Sequence, residues 1–468
     1  MKKSYFLFIF LAAAVVAVSS FRGQSDQVIV KPSDPDSVVF RKIFNEALTN
    51  GKAYENLNTL CTTAPKRLSG SKGAGDAVTC MFKIMQGMGL DSVWLQECTV
   101  PHWERGAPEQ GEMVVGTRSI EMNICALGGS VGTGGNGITA DVIEVNDFEE
   151  LNKLGKKKIE GRIVFFNHPF DETKVSTFDA YGEAVGYRWA GPHLAETYGA
   201  VGVLVRSMTN SLDTFPHTGV MRMDSLKATI PSAAISTVDA EILSKQIKAG
   251  GKTSFHMKMN CQWFADAKSH NVIGEIRGTE HPEKVICFGG HLDAWDLGDG
   301  AHDDGAGCVQ GIEVLRLFKA LNMKPKNTIR CVLWMNEENG GGGADAYFEY
   351  AKEKKVTHVA AIESDAGGFS PRGFSLDMPE EQKTKVRTWS PLFFPYGVYD
   401  FTESGGGADI GPLKELGTPL FGLSPDSQRY FDYHHTEIDV FTAVNRRELH
   451  LGAGAMAGLV FLIDKYGL

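Results

Sequence analysis

The chain has 468 residues, of which 43% are hydrophobic and 22% charged, and its formal net charge is −10. This balance is that of a globular protein and excludes a disordered or low-complexity chain. The modest acidity gives no support to nucleic-acid binding, which needs a clustered basic face. The length exceeds one ordinary compact domain and predicts two, with one inserted in the other as the natural arrangement.

Lys2 and Lys3 precede an uncharged, mainly apolar run from Tyr5 to Val18, and small residues (Ala17, Ser19, Ser20) close it. This is the layout of a secretory signal peptide, assigned to residues 1–22. At about 14 residues the run falls short of the ~17–25 needed to span a bilayer, so removal is expected rather than anchorage. The mature chain is therefore expected to be exported, periplasmic or extracellular, with no stable membrane insertion. The eight cysteines permit disulfides in such a compartment. Cys61, Cys80, Cys98 and Cys125 could pair among themselves in three ways, and Cys261 has no obvious partner. Cys287, Cys308 and Cys331 lie in apolar segments that read as core. No CxxC cluster is present, so a cysteine-based zinc site is not expected.

From Asp36 to about Met88 the pattern is helical, broken at Ala64-Pro65 and at Ser69-Gly70-Ser71, and residues 92–100 read as a strand. Between about Gly129 and Gly251 short apolar runs (162–166, 200–205) alternate with turns rich in Gly, Pro and Asp. That pattern predicts a compact β-rich module with a few helices, opened by a glycine cluster between Gly128 and Gly135. The one dense basic run, Lys153 to Lys158, reads as a solvated turn. After Asn271, strands at 284–288, 327–334, 358–362 and 419–423 alternate with helices at 311–321, 344–354 and 448–463. The alternation predicts an α/β fold, a mostly parallel central sheet with helices on both faces. The expected boundaries are 23–128 for the first part of the main domain, 129–258 for the insertion and 259–468 for the remainder.

In parallel sheets of this kind ligands bind beyond the carboxyl ends of the strands, and the polar residues of interest fall there. His291-Leu292-Asp293 follows the first of those strands and Asp303-Asp304-Gly305 comes a short loop later. Glu337-Glu338 follows the second strand, Asp365 the third and His435 the fourth. Singly, each has an ordinary reading: a satisfied histidine, a solvated acid pair, a turn or a helix N-cap. Their ordered recurrence at strand ends makes them one candidate site. Three carboxylates and two imidazoles suit zinc or a similar divalent ion. Asp303, Glu338 and Asp365 carry three negative charges, which two divalent cations and a bridging hydroxide would nearly balance; a single cation would leave repelling carboxylates buried together.

The motifs Gly290-His291-Leu292-Asp293, His302-Asp303-Asp304-Gly305-Ala306-Gly307, Glu337-Glu338, Glu363-Ser364-Asp365-Ala366-Gly367 and His435-Thr436-x-x-Asp439 resemble the co-catalytic di-zinc aminopeptidase superfamily. Within it, the phrase from His291 to Asp296, the turn Pro216-His217-Thr218-Gly219 and Tyr433-His434-His435 are similar to the carboxypeptidase Q-like branch. The similarity extends over nearly all of the mature chain. It implies two zinc ions, His291 and Asp365 on one, Glu338 and His435 on the other, and Asp303 bridging. Of the pair His434-His435, only His435 satisfies the His-Thr-x-x-Asp pattern. Glu337 would be the general base, and Asp293 would accept a hydrogen bond from the His291 imidazole and fix its tautomer. The segment 129–258 would be the protease-associated insertion of this family, and a homodimer is implied.

On that reading a water shared by two zinc ions loses a proton near neutral pH, and Glu337 takes the proton and delivers it to the departing amine. The expected substrates are dipeptides or short peptides with free termini. Gly405-Gly406-Gly407 either approaches the substrate or forms a surface loop, and Tyr430 and Tyr433 either donate to an oxyanion or pack in the core. Two other functions use the same scaffold: a non-catalytic binding or receptor module, and a glutaminyl cyclase-like acyl transferase with a single zinc. The complete ligand set and Glu337 favour hydrolysis over both.

Overall fold

The computed structural model describes residues 34–224 and 228–468; the signal peptide expected at 1–22 lies outside them. Two large sheets organise the described residues. The first has seven strands: β1 (Ser92–Val100), β2 (Ala267–Ile276), β3 (His281–His291), β4 (Asn327–Trp334), β5 (Thr357–Glu363), β6 (Pro371–Asp377) and β7 (Leu420–Pro425). Their order across the sheet is β1-β2-β4-β3-β5-β7-β6. The four inner strands β4, β3, β5 and β7 are parallel, while β1, β2 and β6 pair antiparallel at the two edges. The sheet is thus mixed, with a parallel centre, rather than mostly parallel throughout. The expected strands are found within it, but β2 and β6 carried no clear signal.

Inner strands buried on both faces read as near-continuous apolar runs, and the period-2 alternation of side chains sends their residues to two different cores. Ile286 and Phe288 pack with Leu315 and Phe318 of the helix Ala306–Ala320 on one face. Val285 and Cys287 pack with Trp334 and with Tyr347 of the helix Gly342–Lys354 on the other. The closing helix Arg446–Tyr466, capped by the Asn445 side chain, and the first helix Pro35–Asn50 complete the first layer.

The second sheet has eight strands, all drawn from the chain between β1 and β2. Ile138–Val145, Ile163–Phe166, Gly202–Arg206 and Ser232–Ile235 run parallel in that order. The helices Phe148–Ile159, Thr177–Trp189, Gly191–Thr197 and Thr237–Lys248 lie between or after them. This region is therefore a layered α/β unit rather than a β-rich one. It also starts earlier than residue 129, because Gln110–Val115, Arg118–Met122 and Ile124–Ala126 are its strands too. The basic run at Lys156, Lys157 and Lys158 is the last turn of a helix, where cations face the negative end of its dipole. All eight cysteines are buried and unpaired, so the four N-terminal ones form no disulfide with one another. Among the described residues no helix is long and apolar enough to cross a membrane.

Candidate metal centre

Each candidate side chain sits at or just past the carboxyl end of a parallel strand. His291 is the last residue of β3, Glu337 and Glu338 follow β4, Asp365 follows β5, and His435 lies in the connection after β7. Asp303 precedes the helix Ala306–Ala320. The structure brings His291, Asp303, Glu338, Asp365 and His435 to one point. The Nε2 atom of His291 is 3.2 Å from Asp303 Oδ1 and 3.5 Å from Asp365 Oδ1. The Nε2 atom of His435 is 3.2 Å from Asp303 Oδ2 and 3.1 Å from Glu338 Oε2. Asp303 thus turns one oxygen to each histidine.

The other nitrogen of each ring settles the tautomer. His291 Nδ1 lies 3.0 Å from the Asp293 carbonyl, and His435 Nδ1 lies 3.2 Å from the Thr218 carbonyl. A carbonyl only accepts, so both Nδ1 atoms carry the proton and both Nε2 atoms present a lone pair. Lone pairs facing carboxylate oxygens at these distances repel unless a cation lies between them. Donors around a tetrahedral zinc with bonds of ~2.0–2.2 Å stand roughly 3.3–3.6 Å apart, close to the separations seen. Glu338 Oε1 and Asp303 Oδ2 are buried with no hydrogen-bond donor, a second sign that the donor set fits a metal. Without one, the rings take up a second proton. Burial opposes that charge at His291, but Asp365 and Asp303 outweigh it and hold the imidazole well above its ordinary value. His435 is likewise pushed up to about 10, against burial, by Glu338 and Asp303. Metal binding would displace those protons.

Asp293 departs from expectation. Its carboxylate is 3.8 Å from His291 Nδ1, and its main-chain carbonyl fills that role instead. Asp293 Oδ1 accepts from the backbone N–H groups of Asn336 (2.6 Å) and Glu337 (3.1 Å). Its carboxylate therefore positions the loop that carries Glu337, and the short turn after β3 leaves the carbonyl over the ring. Glu337 is half-buried; burial, followed by the nearby carboxylates, lifts its carboxyl well above the usual range. Glu338 rises to about 7, first through burial and then through Asp303.

Several residues support the centre; the sequence motifs contain Asp304, Asp439 and His434 without giving them a role, and Arg67 lies outside every motif. Asp304 accepts from the N–H groups of His291 (3.0 Å) and Gly307 (2.8 Å), tying β3 to the helix start. Asp439, the acid of the His-Thr-x-x-Asp pattern, accepts from the N–H groups of His302 (2.7 Å) and Asp303 (3.1 Å). The fully buried Arg67 donates to the carbonyls of Leu292 (2.6 Å), Asp299 and Gly300 (2.7 Å) and braces the loop after β3. His434 stacks on His435, and its Nε2 is 3.7 Å from Asp303 Oδ2, so the pattern that singles out His435 does not exclude its neighbour from the cluster. Tyr430 is buried and packs against Phe178 and Phe431. Burial and the carboxylates Asp303 and Asp365 hold its phenol protonated.

A cleft of about 830 Å³ opens beside Asp365 and is lined by Gly405, Gly406 and Gly407, by Arg372 and Tyr399, and by Phe178 from the second unit. A Cβ on Gly407 would come within 2.3 Å of the Glu363 carboxyl group, so only glycine lets the loop lie this close to the end of β5.

Among known proteins, the pattern of peptidase family M28 matches residues 271–460. Carboxypeptidase Q of Bos taurus is 34% identical over 427 residues, covering 91% of this chain and 88% of that protein. Carboxypeptidase Q of Xenopus laevis is 37% identical over 415 residues, covering 88% and 86%. The crystal structure of a peptidase M28 precursor from Shewanella amazonensis superposes with a TM-score of 0.86 at 28% identity, over 92% of this chain and 96% of that one. A zinc aminopeptidase from Bacillus subtilis shares the fold, with a TM-score of 0.62 at 18% identity over 88% and 95%. The mixed α/β fold, the clustered strand-end residues and this likeness along nearly the whole chain agree: the protein belongs to peptidase family M28, in its carboxypeptidase Q group, and is a metallopeptidase.

Proposed function

We propose that the protein is an exported di-zinc exopeptidase that hydrolyses dipeptides or short peptides with free termini. The observation that carries this reading is the pair of fixed imidazole lone pairs facing three carboxylates, with Asp303 shared between them. His291 and Asp365 would hold one ion, Glu338 and His435 the other, and Asp303 both. Zinc held there supplies Lewis-acid polarisation of the scissile carbonyl and lowers the pKa of an attacking water. Glu337 would take the proton from that water and return it to the departing amine, and burial, which raises its carboxyl above the ordinary range, makes it a stronger base than a solvated one. Asp293 holds the backbone of Glu337, so the base cannot drift from the reacting atoms. The cleft beside Asp365 is large enough for a short peptide.

Export rests on the basic start and short apolar run of residues 2–18. The unit from 110 to 258 reads as the protease-associated insertion of this family; its support is that the whole second sheet lies between β1 and β2, which pair with each other. The test is a panel of free, N-blocked and C-blocked dipeptides, assayed with and without chelator, alongside zinc analysis. Cleavage of free dipeptides, abolished by chelator, with two zinc ions per chain is expected. Equal cleavage of blocked substrates would overturn the free-termini reading, and cyclisation of an N-terminal glutamine peptide would point to acyl transfer.

A further inference from the structure

The two histidines of the centre are oriented from different places. His291 finds its acceptor two residues along its own loop, at Asp293. His435 finds its acceptor across the molecule, at Thr218, in the Pro216–Gly219 turn of the second unit. The contact runs both ways, because the Thr218 N–H donates to the His435 carbonyl at 3.0 Å while the Thr218 carbonyl accepts from Nδ1 at 3.2 Å. His435 has a φ of +62°, a left-handed conformation that a side-chain-bearing residue keeps only where its surroundings enforce it. The reciprocal pair with Thr218 supplies that enforcement.

The turn is itself braced. The fully buried Thr218 hydroxyl donates to the Ala126 carbonyl at 2.8 Å and accepts from Arg105 Nη2 at 3.2 Å. Arg105 is buried and forked onto Asp296, in the loop after β3, at 2.7 to 3.0 Å. On the other side Arg188 Nη1 donates to the Thr218 carbonyl at 3.3 Å and its Nη2 to the Tyr181 hydroxyl at 2.6 Å. Gly219 has a φ of +137°, and a Cβ there would meet the Arg188 guanidinium at 2.3 Å. The backbone and the hydroxyl of Thr218 are thus all held by buried partners, which is the construction of a support rather than of a passing surface contact.

We infer that the Pro216–Gly219 turn is part of the metal centre, with Thr218 a positioning residue that aims His435 Nε2 at Glu338 and Asp303. The inference rests on the di-zinc reading above. It makes the two ion sites unequal: the one at His291 and Asp365 is complete within the first unit, whereas the one at His435 and Glu338 is assembled across the junction with the second. Groups that fix a histidine ligand typically govern metal affinity by about 10- to 100-fold.

The test titrates the full-length, metal-stripped protein with Zn²⁺ against a chromogenic chelator, comparing wild type with Thr218→Val, Thr218→Ser and Gly219→Ala. Wild type should bind two ions. In Thr218→Val one of the two binding events should weaken by about 10- to 100-fold and the other stay put, a split that a general loss of stability from the missing buried hydroxyl would not produce. Thr218→Ser, which restores the hydroxyl, should recover the wild-type isotherm. Gly219→Ala, which pushes on Arg188 instead, should weaken the same event and decides the matter if Thr218→Val fails to fold. Two unaltered affinities in the folded variants, or a parallel fall of both, would overturn the inference while leaving the di-zinc reading intact. Fewer than two ions on wild type would instead remove the di-zinc reading, and this inference with it.

Discussion

Glu337 and Glu338 are adjacent, yet their surroundings give them unlike work. Glu338 is buried with Oε2 against the His435 ring, while Glu337 is half-buried with its backbone N–H held by Asp293. On the proposed reading one carboxylate is therefore committed to the cation position and the other left free to move a proton. Gln in place of Glu337 preserves shape and removes only the ability to accept and return that proton. Glu337→Gln should keep two zinc ions and lose roughly 10²- to 10⁴-fold in kcat, whereas Glu338→Gln should lose zinc from one site. Metal analysis beside initial rates on a dipeptide separates the two cases; a fully active Glu337→Gln enzyme would take that residue out of the mechanism.

At the scale of elements, the inner strands were legible because burial on both faces demands the unbroken apolar runs seen in β3, β4, β5 and β7. The edge strand β6 and β2, which lies one place in from the other edge, lack such a run, and their half-polar sequences gave nothing to find. In the second unit, short runs such as Ile163–Phe166 look the same whether a strand pairs parallel or antiparallel, so the few helices expected there did not read as the layer of a parallel sheet. Which side chains come together in the centre was readable from residue type and order. The roles of Asp293 and Thr218 were not, because main-chain carbonyls do the orienting and no residue type announces a carbonyl. Contacts between elements are just as hidden. Gly307 lies in the first turn of the helix Ala306–Ala320, and a Cβ there would stand 1.8 Å from the Ser364 carbonyl and 2.5 Å from Asp304 Oδ2. Since Asp304 holds the backbone of His291, moving the helix disturbs β3 and the ring at its end. Gly307→Ala should destabilise the fold by about 1–3 kcal/mol through overpacking and weaken zinc binding as well. Urea unfolding and a Zn²⁺ titration report the two effects, and a variant with wild-type values in both would refute this close packing.

The molecule as a whole carries buried histidines that are neutral in the fold. Burial holds His217 and His358 down to about 3 and His302 to about 4. Released by unfolding, each would titrate near its ordinary value of about 6.5. Below that pH the unfolded chain therefore binds protons that the folded chain refuses, and stability falls as pH drops from about 6.5 toward 4. Each such histidine contributes a slope of about 1.4 kcal/mol per pH unit inside that window and nothing above it. His291 and His435 act in the opposite sense when no metal is bound, since their carboxylate partners raise them; they favour the fold at low pH and lose that contribution as pH rises past their raised values. His217 and His302 lie beside the centre, but His358 does not: it sits near the start of β5, with Nε2 3.0 Å from the Tyr347 hydroxyl and Nδ1 buried without a partner. Gln at this position keeps a polar group for Tyr347 and removes the titration. With chelator in excess, so that zinc release adds nothing, the urea-unfolding free energy of wild type should fall between pH 6.5 and 4 more steeply than that of His358→Gln. The difference should be about one proton, or about 1.4 kcal/mol per pH unit. Parallel curves for the two proteins would mean that His358 is already protonated in the fold, and the burial argument would fail at that site.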